Sequence, residues 1–379
     1  MKIALVAGEA SGDLLGAGLI RAIRAQVPDA QFEGVAGPAM IAAGCDPLED
    51  AEMLAVMGLI EPLKVIPRLL RLRRNLAQRW RDSPPDVFVG IDAPDFNFGL
   101  EKKLRRSGVP TVHYVSPSIW AWRAGRIKTV REAADRVLCI LPFEKPIYDQ
   151  HGIDAVFVGH PKADTIDASI DIASARERLG LPEEGPLVAV LPGSRTSEVS
   201  RLGPLFAAAA ARLAEADDRI HFVTPVATPK LRAMITSQLE QSGAAGRFTM
   251  VDGGSIEAMA AADVVLLASG TAALEAALLC KPIVAAYRVA ATTAMLVRVL
   301  KLVKLDYVTI PNLLTETPLI PEFIQDAATP LALAEAVRAL LDDPERRSAI
   351  AGRFAKLRSD LALGADERAA RAVIEIASQ

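Results

Sequence analysis

Six loops of this 379-residue chain carry side chains suited to group transfer. In Gly90-Ile91-Asp92-Ala93-Pro94-Asp95-Phe96-Asn97, Asp92 falls where the apolar run Val87–Ile91 ends. A carboxylate against apolar walls is a candidate general base, because lost hydration favours its protonated form. Asp95 is the rival base, or a cap for the next helix together with Asn97. Capping also accounts for Asp92, but the base reading is preferred there. Downstream, Leu191-Pro192-Gly193-Ser194-Arg195-Thr196-Ser197-Glu198 offers backbone donors at Gly193 and Ser194. Arg195 adds a planar fork for phosphate oxygens, with Glu198 to hold it. Ser269-Gly270-Thr271 then opens a helix over Ala272–Cys280, whose unpaired N–H groups and dipole favour an anion. Glu275 stands four residues past Thr271, whereas a capping box wants the acid at three. It is therefore read as an acceptor for ribose hydroxyls, the alternative being a dipole-compensating acid. Two phosphate-facing loops in one half of the chain weigh more than either alone. Asn312, in Tyr307–Leu314, adds an amide for a phosphate or sugar hydroxyl; Glu322 and Gln325 are weaker candidates.

Two further loops are less decisive. Gly8-Glu9-Ala10-Ser11-Gly12-Asp13 leads into a helix expected over Leu14–Ala25. It has neither the dinucleotide glycine spacing nor the P-loop lysine, which argues against nicotinamide and ATP. Glu9, Ser11, Gly12 and Asp13 are acceptor-side candidates; a plain tight turn is the alternative. Val115–Arg123 holds Trp120 and Trp122, two of the three tryptophans, beside Ser-Pro. Aromatic faces suit sugar rings, and an aromatic lid packed on its own domain fits equally well. His113 reads as a strand-end residue, and His160 as shaping the crossing between domains.

The elements that must position these loops alternate. Strands are expected over Lys2–Ala7, Gln31–Ala36, Asp86–Ile91, Thr111–Val115, Arg136–Ile140 and Ala155–Val158. A second series covers Leu187–Leu191, Ile220–Thr224, Phe248–Val251, Val264–Ala268 and Pro282–Tyr287. Continuous apolar strands separated by helices imply parallel sheets covered on both faces. The fold class is α/β, with two Rossmann-like doubly wound domains sharing a cleft at the carboxyl ends of their strands. The boundaries are 1–164, 165–354 and a final segment 355–379, whose helix Ala365–Ala377 carries one apolar face.

Bulk properties narrow the function. A chain of this length calls for two domains. Hydrophobic content of 51% with 23% charged residues describes a folded chain. Net charge −3 gives no basic field for nucleic acid. Cys45, Cys139 and Cys280 have no metal-binding spacing and read as buried thiols. No Asp-x-Asp pair stands at a strand end, so the reading calls for no cofactor and no metal. The N-terminus reads as a strand, not a signal peptide, and no apolar run reaches bilayer length.

Lys64–Arg81 holds seven bases and no acid, interleaved with leucines. A basic amphipathic helix is expected to lie on an anionic membrane, with Ile66, Leu69, Leu72, Arg73 and Leu76 facing it. Arg288–Lys304, with four bases and no acid, is its counterpart. An ordinary helix with a core face and a solvated basic face is the alternative for each.

The stretches AGEASGDLLGAGLI, LAVMGLIEPL, PDVFVGIDAPDFN, HYVSPSIWAWR, LPFEK, LPGSR, ASGTAALEAAL and DYV-x-x-PNLL resemble the lipid-A-disaccharide synthase family, in order from residue 7 to 314. The resemblance implies a GT-B fold and a peripheral enzyme on the cytoplasmic face of a Gram-negative inner membrane. It implies inverting transfer from UDP-2,3-diacylglucosamine to 2,3-diacylglucosamine 1-phosphate (lipid X), giving tetraacyl disaccharide 1-phosphate and UDP. Asp92 matches the family's proposed catalytic carboxylate; Arg195, Ser269–Thr271, Glu275 and Asn312 match positions expected to hold UDP. The rival readings are a UDP-sugar epimerase of the same fold and a non-enzymatic nucleotide-sugar binder at a membrane.

Overall fold

The computed structural model describes residues 1–55, 62–120, 124–290 and 307–379. They form two compact units: Met1–Asp164 together with Leu361–Gln379, and Thr165–Asp360.

The first unit is a seven-stranded sheet: β1 (Lys2–Ala7), β2 (Gln31–Ala36), β3 (Asp46–Asp50), β4 (Val87–Ile91), β5 (Thr111–Tyr114), β6 (Arg136–Cys139) and β7 (Ala155–Phe157). The order is β3-β2-β1-β4-β5-β6-β7, and all pairs are parallel. The second unit holds β8 (Leu187–Leu191), β9 (His221–Val226), β10 (Phe248–Asp252), β11 (Val264–Ala268), β12 (Ile283–Tyr287) and β13 (Glu322–Ile324). Its order is β10-β9-β8-β11-β12-β13, again all parallel. Each sheet therefore reverses its direction of winding once, between β1 and β4 and between β8 and β11. At such a switch point the loops diverge and leave a crevice at the strands' carboxyl ends. Ala7 pairs with Ile91 there, and Leu191 with Leu267. The central strands are continuously apolar because both faces are covered: β4 and β8 are buried along their whole length.

Two strands lie outside the expectation. Both are edges: β3 is Asp-Pro-Leu-Glu-Asp, and β13 has only three residues. Acid and proline protect an edge from further pairing, and they also erase the apolar signature.

The last helix, Ala365–Ala377, completes the first unit. Its buried face, including Ala369, Val373 and Ile376, joins the cluster built by Ile3, Leu5, Leu19 and Ile23. Asp164 caps it, accepting the N–H groups of Gly364 (3.0 Å) and Ala365 (2.7 Å). The division falls at Asp360/Leu361, not at the expected 354/355, because Pro344–Leu361 is one continuous helix.

The helix Pro62–Asp82 corrects the membrane reading of several residues. Leu69 and Leu76 are core, packed with Ala4, Val6, Phe88 and Trp80, and Leu72 leans on the same cluster. Arg73 points at the neighbouring helix: a Cβ on Gly99 would stand 2.2 Å from its Nη1. Of the five residues assigned to the membrane, only Ile66 is exposed; Leu70, not among them, is exposed too, and Arg68, Arg71 and Arg74 flank the pair. Periodicity shows that a helix has two faces, but not which face the core takes. The helix end is fastened to β2: Arg79 grips Glu33 through two nitrogens and Trp80 Nε1 donates at 2.7 Å. The Arg79 hydrogen bonds, with Trp80 and Lys2, hold the Glu33 carboxyl down at about 2. The other expected basic helix falls largely on residues 291–306, outside the described residues, as do 56–61 of the LAVMGLIEPL stretch.

Candidate functional site

At the first switch point, Gly8, Glu9, Leu54, Asp92, Ala93, Pro94, Asp95 and Phe96 line a cavity of about 240 Å³. The loops after β1 and β4 touch: a Cβ on Gly8 would meet that of Ala93 at 2.4 Å. Asp92 stands one residue past β4, half-buried, and among the described residues no group bonds its carboxylate. Its backbone is unusual. Asp92 (φ 51°) and Ala93 (φ 43°) both lie in the left-handed region, where each non-glycine residue costs about 1–2 kcal/mol. The Asp92 N–H donates to Tyr114 O (2.8 Å), and Asn97 Nδ2 donates to Asp92 O (2.8 Å). The chain thus makes a sharp elbow that turns this carboxylate into the cavity. Asp95 differs: its side chain is 61% exposed and ion-paired with Arg126.

The glycine-rich loop after β1 is mostly helix. The helix begins at Ala10, not Leu14, because Glu9 takes the N-cap position. Gly12 and Asp13 therefore lie inside it and are buried. Asp13 accepts N–H groups from Gly37 (3.0 Å), Ala39 (2.8 Å) and Met40 (2.9 Å). It caps the helix Pro38–Ala42 and has no face left for an acceptor. Glu9 and Ser11 are exposed, and of the two only Glu9 lines the cavity.

In the aromatic loop, Trp120 is packed on its own unit, edge to face with Phe143 at 5.1 Å. Its Nε1 donates to Glu144 (3.2 Å), a buried carboxyl that lost hydration pushes up to about 7. Trp122 and Arg123 lie outside the described residues. His113 is fully buried, its Nδ1 2.7 Å from Glu101 Oε1. His160 is kept neutral by burial, which lowers it to about 4. Its N–H donates to Leu361 O (2.9 Å), joining the chain's two crossing segments.

In the second unit, Gly193 (φ 127°), Ser194 and Arg195 follow β8. Glu198 Oε2 accepts the N–H groups of Ser194 (3.1 Å) and Arg195 (3.3 Å). The Ser194 donor is therefore already engaged, contrary to its reading as an open anion donor. Only glycine lets this carboxylate in, since a Cβ at 193 would meet Glu198 Cβ at 2.5 Å. The Arg195 guanidinium is 66% exposed and 3.5 Å from Glu198, free to swing toward a phosphate. Beyond β11, Ser269 donates its N–H to Ala286 O (2.8 Å) and its hydroxyl to Val308 O (3.3 Å). Gly270 has an extended backbone, so its φ does not demand glycine; a Cβ there would meet nothing within 4 Å. The helix Thr271–Leu278 starts in open space, with Glu275 half-buried one turn in.

Asn312 is the clearest correction. It is 1% exposed, and its amide is saturated by protein. Nδ2 donates to Ile320 O (2.9 Å) and Glu322 Oε1 (2.7 Å); Oδ1 accepts from Leu319 (2.9 Å) and Ile320 (3.0 Å). It shapes the turn from beneath and presents nothing to a ligand. Its partner Glu322, a weaker candidate by sequence, is the hub. Glu322 also accepts from Val308 N–H, Thr309 N–H and Thr309 Oγ1. Sequence reasoning named both Glu322 and Asn97, the first as a weaker ligand candidate and the second as a helix cap. It did not show that each bonds the backbone of its own turn, with Asn97 fully buried and Glu322 half-buried.

The chain matches the family described as Lipid-A-disaccharide synthetase over residues 3–375. It is 51% identical to the lipid-A-disaccharide synthase of Alkalilimnicola ehrlichii, covering 100% of this chain and 99% of the relative. It is 48% identical to that of Pseudomonas aeruginosa, covering 99% of this chain and 98% of the relative. Among solved structures, a putative UDP-N-acetylglucosamine 2-epimerase from Listeria monocytogenes aligns with a TM-score of 0.67 at 14% identity, covering 99% and 95% of the two chains. WaaG, a glycosyltransferase involved in lipopolysaccharide biosynthesis, aligns at 0.58 and 13% identity, covering 98% and 99%. These structural likenesses carry the fold, a GT-B arrangement of two α/β sheets; the sequence matches carry the family. An elbow-borne aspartate on one sheet, an exposed arginine and an open helix end on the other, and matches along almost the full length lead to one assignment: the chain belongs to the lipid-A-disaccharide synthase family.

Proposed function

We propose that this glycosyltransferase of lipid A biosynthesis condenses UDP-2,3-diacylglucosamine with 2,3-diacylglucosamine 1-phosphate, and that Asp92 is its base. In this reading the first unit binds the acceptor and the second binds the UDP-sugar. Asp92 takes the proton of the acceptor's 6-hydroxyl as that oxygen attacks the anomeric carbon of the donor. The bond from that carbon to the UDP oxygen breaks on the opposite face, so configuration inverts. Arg195 and the N–H groups at the Gly270–Thr271 helix end receive the charge that builds on the departing diphosphate. Glu275 accepts from the ribose hydroxyls. Ser194 contributes its hydroxyl, since Glu198 engages its backbone donor.

The observation that carries this reading is the Asp92 elbow: two successive left-handed non-glycine residues direct a carboxylate with no partner among the described residues into a cavity at a switch point. Such strain persists where the surroundings over-determine it, commonly at functional sites. Asp95, exposed and paired with Arg126, is the poorer base, because the ion pair engages its carboxylate outside the enclosed part of the site.

No helix among the described residues is long and apolar enough to cross a membrane. We place the protein peripherally on the cytoplasmic face of the inner membrane. Exposed Ile66 and Leu70 would dip into an anionic surface while Arg68, Arg71 and Arg74 meet its headgroups.

The test is Asp92→Asn with labelled donor and lipid X. Turnover should fall by about 10²–10⁴-fold, with UDP affinity by calorimetry unchanged and disaccharide the only sugar product of the parent enzyme. Near-normal turnover in a folded variant refutes the base assignment. Epimerised UDP-sugar in place of disaccharide refutes the reaction.

A further inference from the structure

Beneath the Asp92 elbow lies a buried polar stack with unmet valences. Asn97 is fully buried. Its Nδ2 reaches the carbonyls of Val6 (3.3 Å), Ile91 (3.4 Å) and Asp92 (2.8 Å), while its Oδ1 has no partner among the described residues. One helical turn on, Glu101 is fully buried with Oε1 2.7 Å from His113 Nδ1. Glu101 Oε2 and His113 Nε2 likewise have no partner among the described residues. A Cβ on Gly90 would stand 2.2 Å from Glu101 Oε1 and 3.0 Å from Asn97 Cβ. Both side chains therefore lie against the β4 backbone just ahead of Asp92. Phe98 closes the stack, its ring 4.6 Å from that of His113.

Packing alone does not account for this arrangement. A buried carboxylate–imidazole pair with one atom of each side chain unpartnered among the described residues commonly contributes no more stability than apolar residues of similar volume. We propose that Asn97, Glu101 and His113 form a positioning unit for Asp92. The inference rests on the reading of Asp92 as the base. None of the three touches substrate. Asn97 holds the left-handed peptide by its bond to Asp92 O. Glu101, pinned by His113 against Gly90, keeps Asn97 from swinging and β4 from relaxing. Without them Asp92 and Ala93 fall back to ordinary backbone and the carboxylate leaves its place. A displacement of roughly 1 Å at a reacting group costs on the order of 10²-fold in rate.

The experiment uses the full chain and compares Asn97→Ala and Glu101→Gln in two backgrounds, the parent and Asp92→Asn. In the parent, kcat should fall on the order of 10²-fold for Asn97→Ala and on the order of tenfold for Glu101→Gln. KM for donor and UDP affinity should stay within about threefold. In the Asp92→Asn background neither change should lower the residual rate further, because groups acting through one residue are non-additive. A merely structural role would lower the rate equally in both backgrounds, and that result overturns the proposal. So does kcat within about threefold of the parent in both folded variants. If Asn97→Ala fails to fold, isosteric Glu101→Gln carries the same comparison. Retained turnover in Asp92→Asn removes the base reading itself. Turnover lost there but kept in the other two overturns positioning alone.

Discussion

Replacing Asn312 by alanine separates a ligand contact from a scaffold. If its amide bonded UDP, the substitution would cost affinity and leave the fold intact. The structure requires the reverse order of effects. Three bonds to neutral backbone groups and one to the Glu322 carboxylate disappear together. Neutral bonds contribute about 1 kcal/mol each and a bond to a charged group about 2 kcal/mol, so the sum approaches 5 kcal/mol. Water entering the vacated space offsets part of that, leaving about 3–4 kcal/mol.

The assay follows from where the tryptophans sit. Trp80, Trp120 and Trp122 all belong to the first unit. Tryptophan fluorescence therefore follows Met1–Asp164, whereas far-ultraviolet circular dichroism follows both units. With a urea slope of about 2–3 kcal/mol per molar, the second unit's midpoint should drop by roughly 1–2 M while the fluorescence transition stays put. Glu322→Ala should give a similar shift, and the double variant should lose much less than the two combined, because they share one network. UDP affinity falls only as far as the Ser269 turn loosens, through the Ser269 Oγ bond to Val308 O. An Asn312→Ala protein with unchanged urea midpoints and abolished UDP binding would refute this reasoning and restore the amide as a direct contact.

Ile66→Ser with Leu70→Ser should reduce co-sedimentation with anionic vesicles several-fold while leaving the melting temperature within a few degrees, since both side chains are exposed. Leu69→Ser instead should unfold the first unit at lower urea with no selective effect on vesicles, and the opposite pattern would reverse the assignment of the two faces. Glu33 is held at about 2, well below its ordinary 4.5, mainly by Arg79. Its stabilisation is therefore complete above pH 4.5 and is lost as pH falls toward 2; because Arg79 is half-exposed, solvent screening holds it to about 1–2 kcal/mol. Glu33→Gln should flatten the first unit's stability–pH curve over that window, read by Trp80 fluorescence; an unaltered slope would remove Glu33 as its cause.

The sheets were legible because central parallel strands are apolar on both faces. Lys2–Ala7, Gln31–Ala36, Leu187–Leu191 and Val264–Ala268 stand where the hydropathy puts them. The edge strands β3 and β13 were not, since solvent and acid replace the apolar run. The start of the first helix was misjudged because glycine and acid in Gly8–Asp13 look like a loop, although Gly12 lies in a helix against Ala7 and Ile91. At the candidate site, the switch-point loops were readable from strand ends and glycines. The direction in which each polar side chain points was not, because a buried hydrogen-bonding role and an exposed ligand role use the same residue types.

Asn97 and Asn312 make that ambiguity concrete and resolve it on one principle. Asn97 follows the central strand β4 in the helix Pro94–Arg105, and Asn312 lies in the four-residue helix Ile310–Leu313 ahead of β13. A loop that bends sharply at a strand end strands carbonyls and N–H groups away from water, and each unpaired group is costly. Asparagine alone brings two donors and an acceptor on a side chain short enough to reach them without displacing the helix. Asn97 spends its donors on the carbonyls of Val6, Ile91 and Asp92; Asn312 spends its acceptor on Leu319 and Ile320. In the first unit the amide secures the bend that carries Asp92; in the second it secures the turn on which the Ser269 hydroxyl rests. A polar residue at a switch point is thus a ligand contact only if its valences remain after the loop's own backbone has been satisfied.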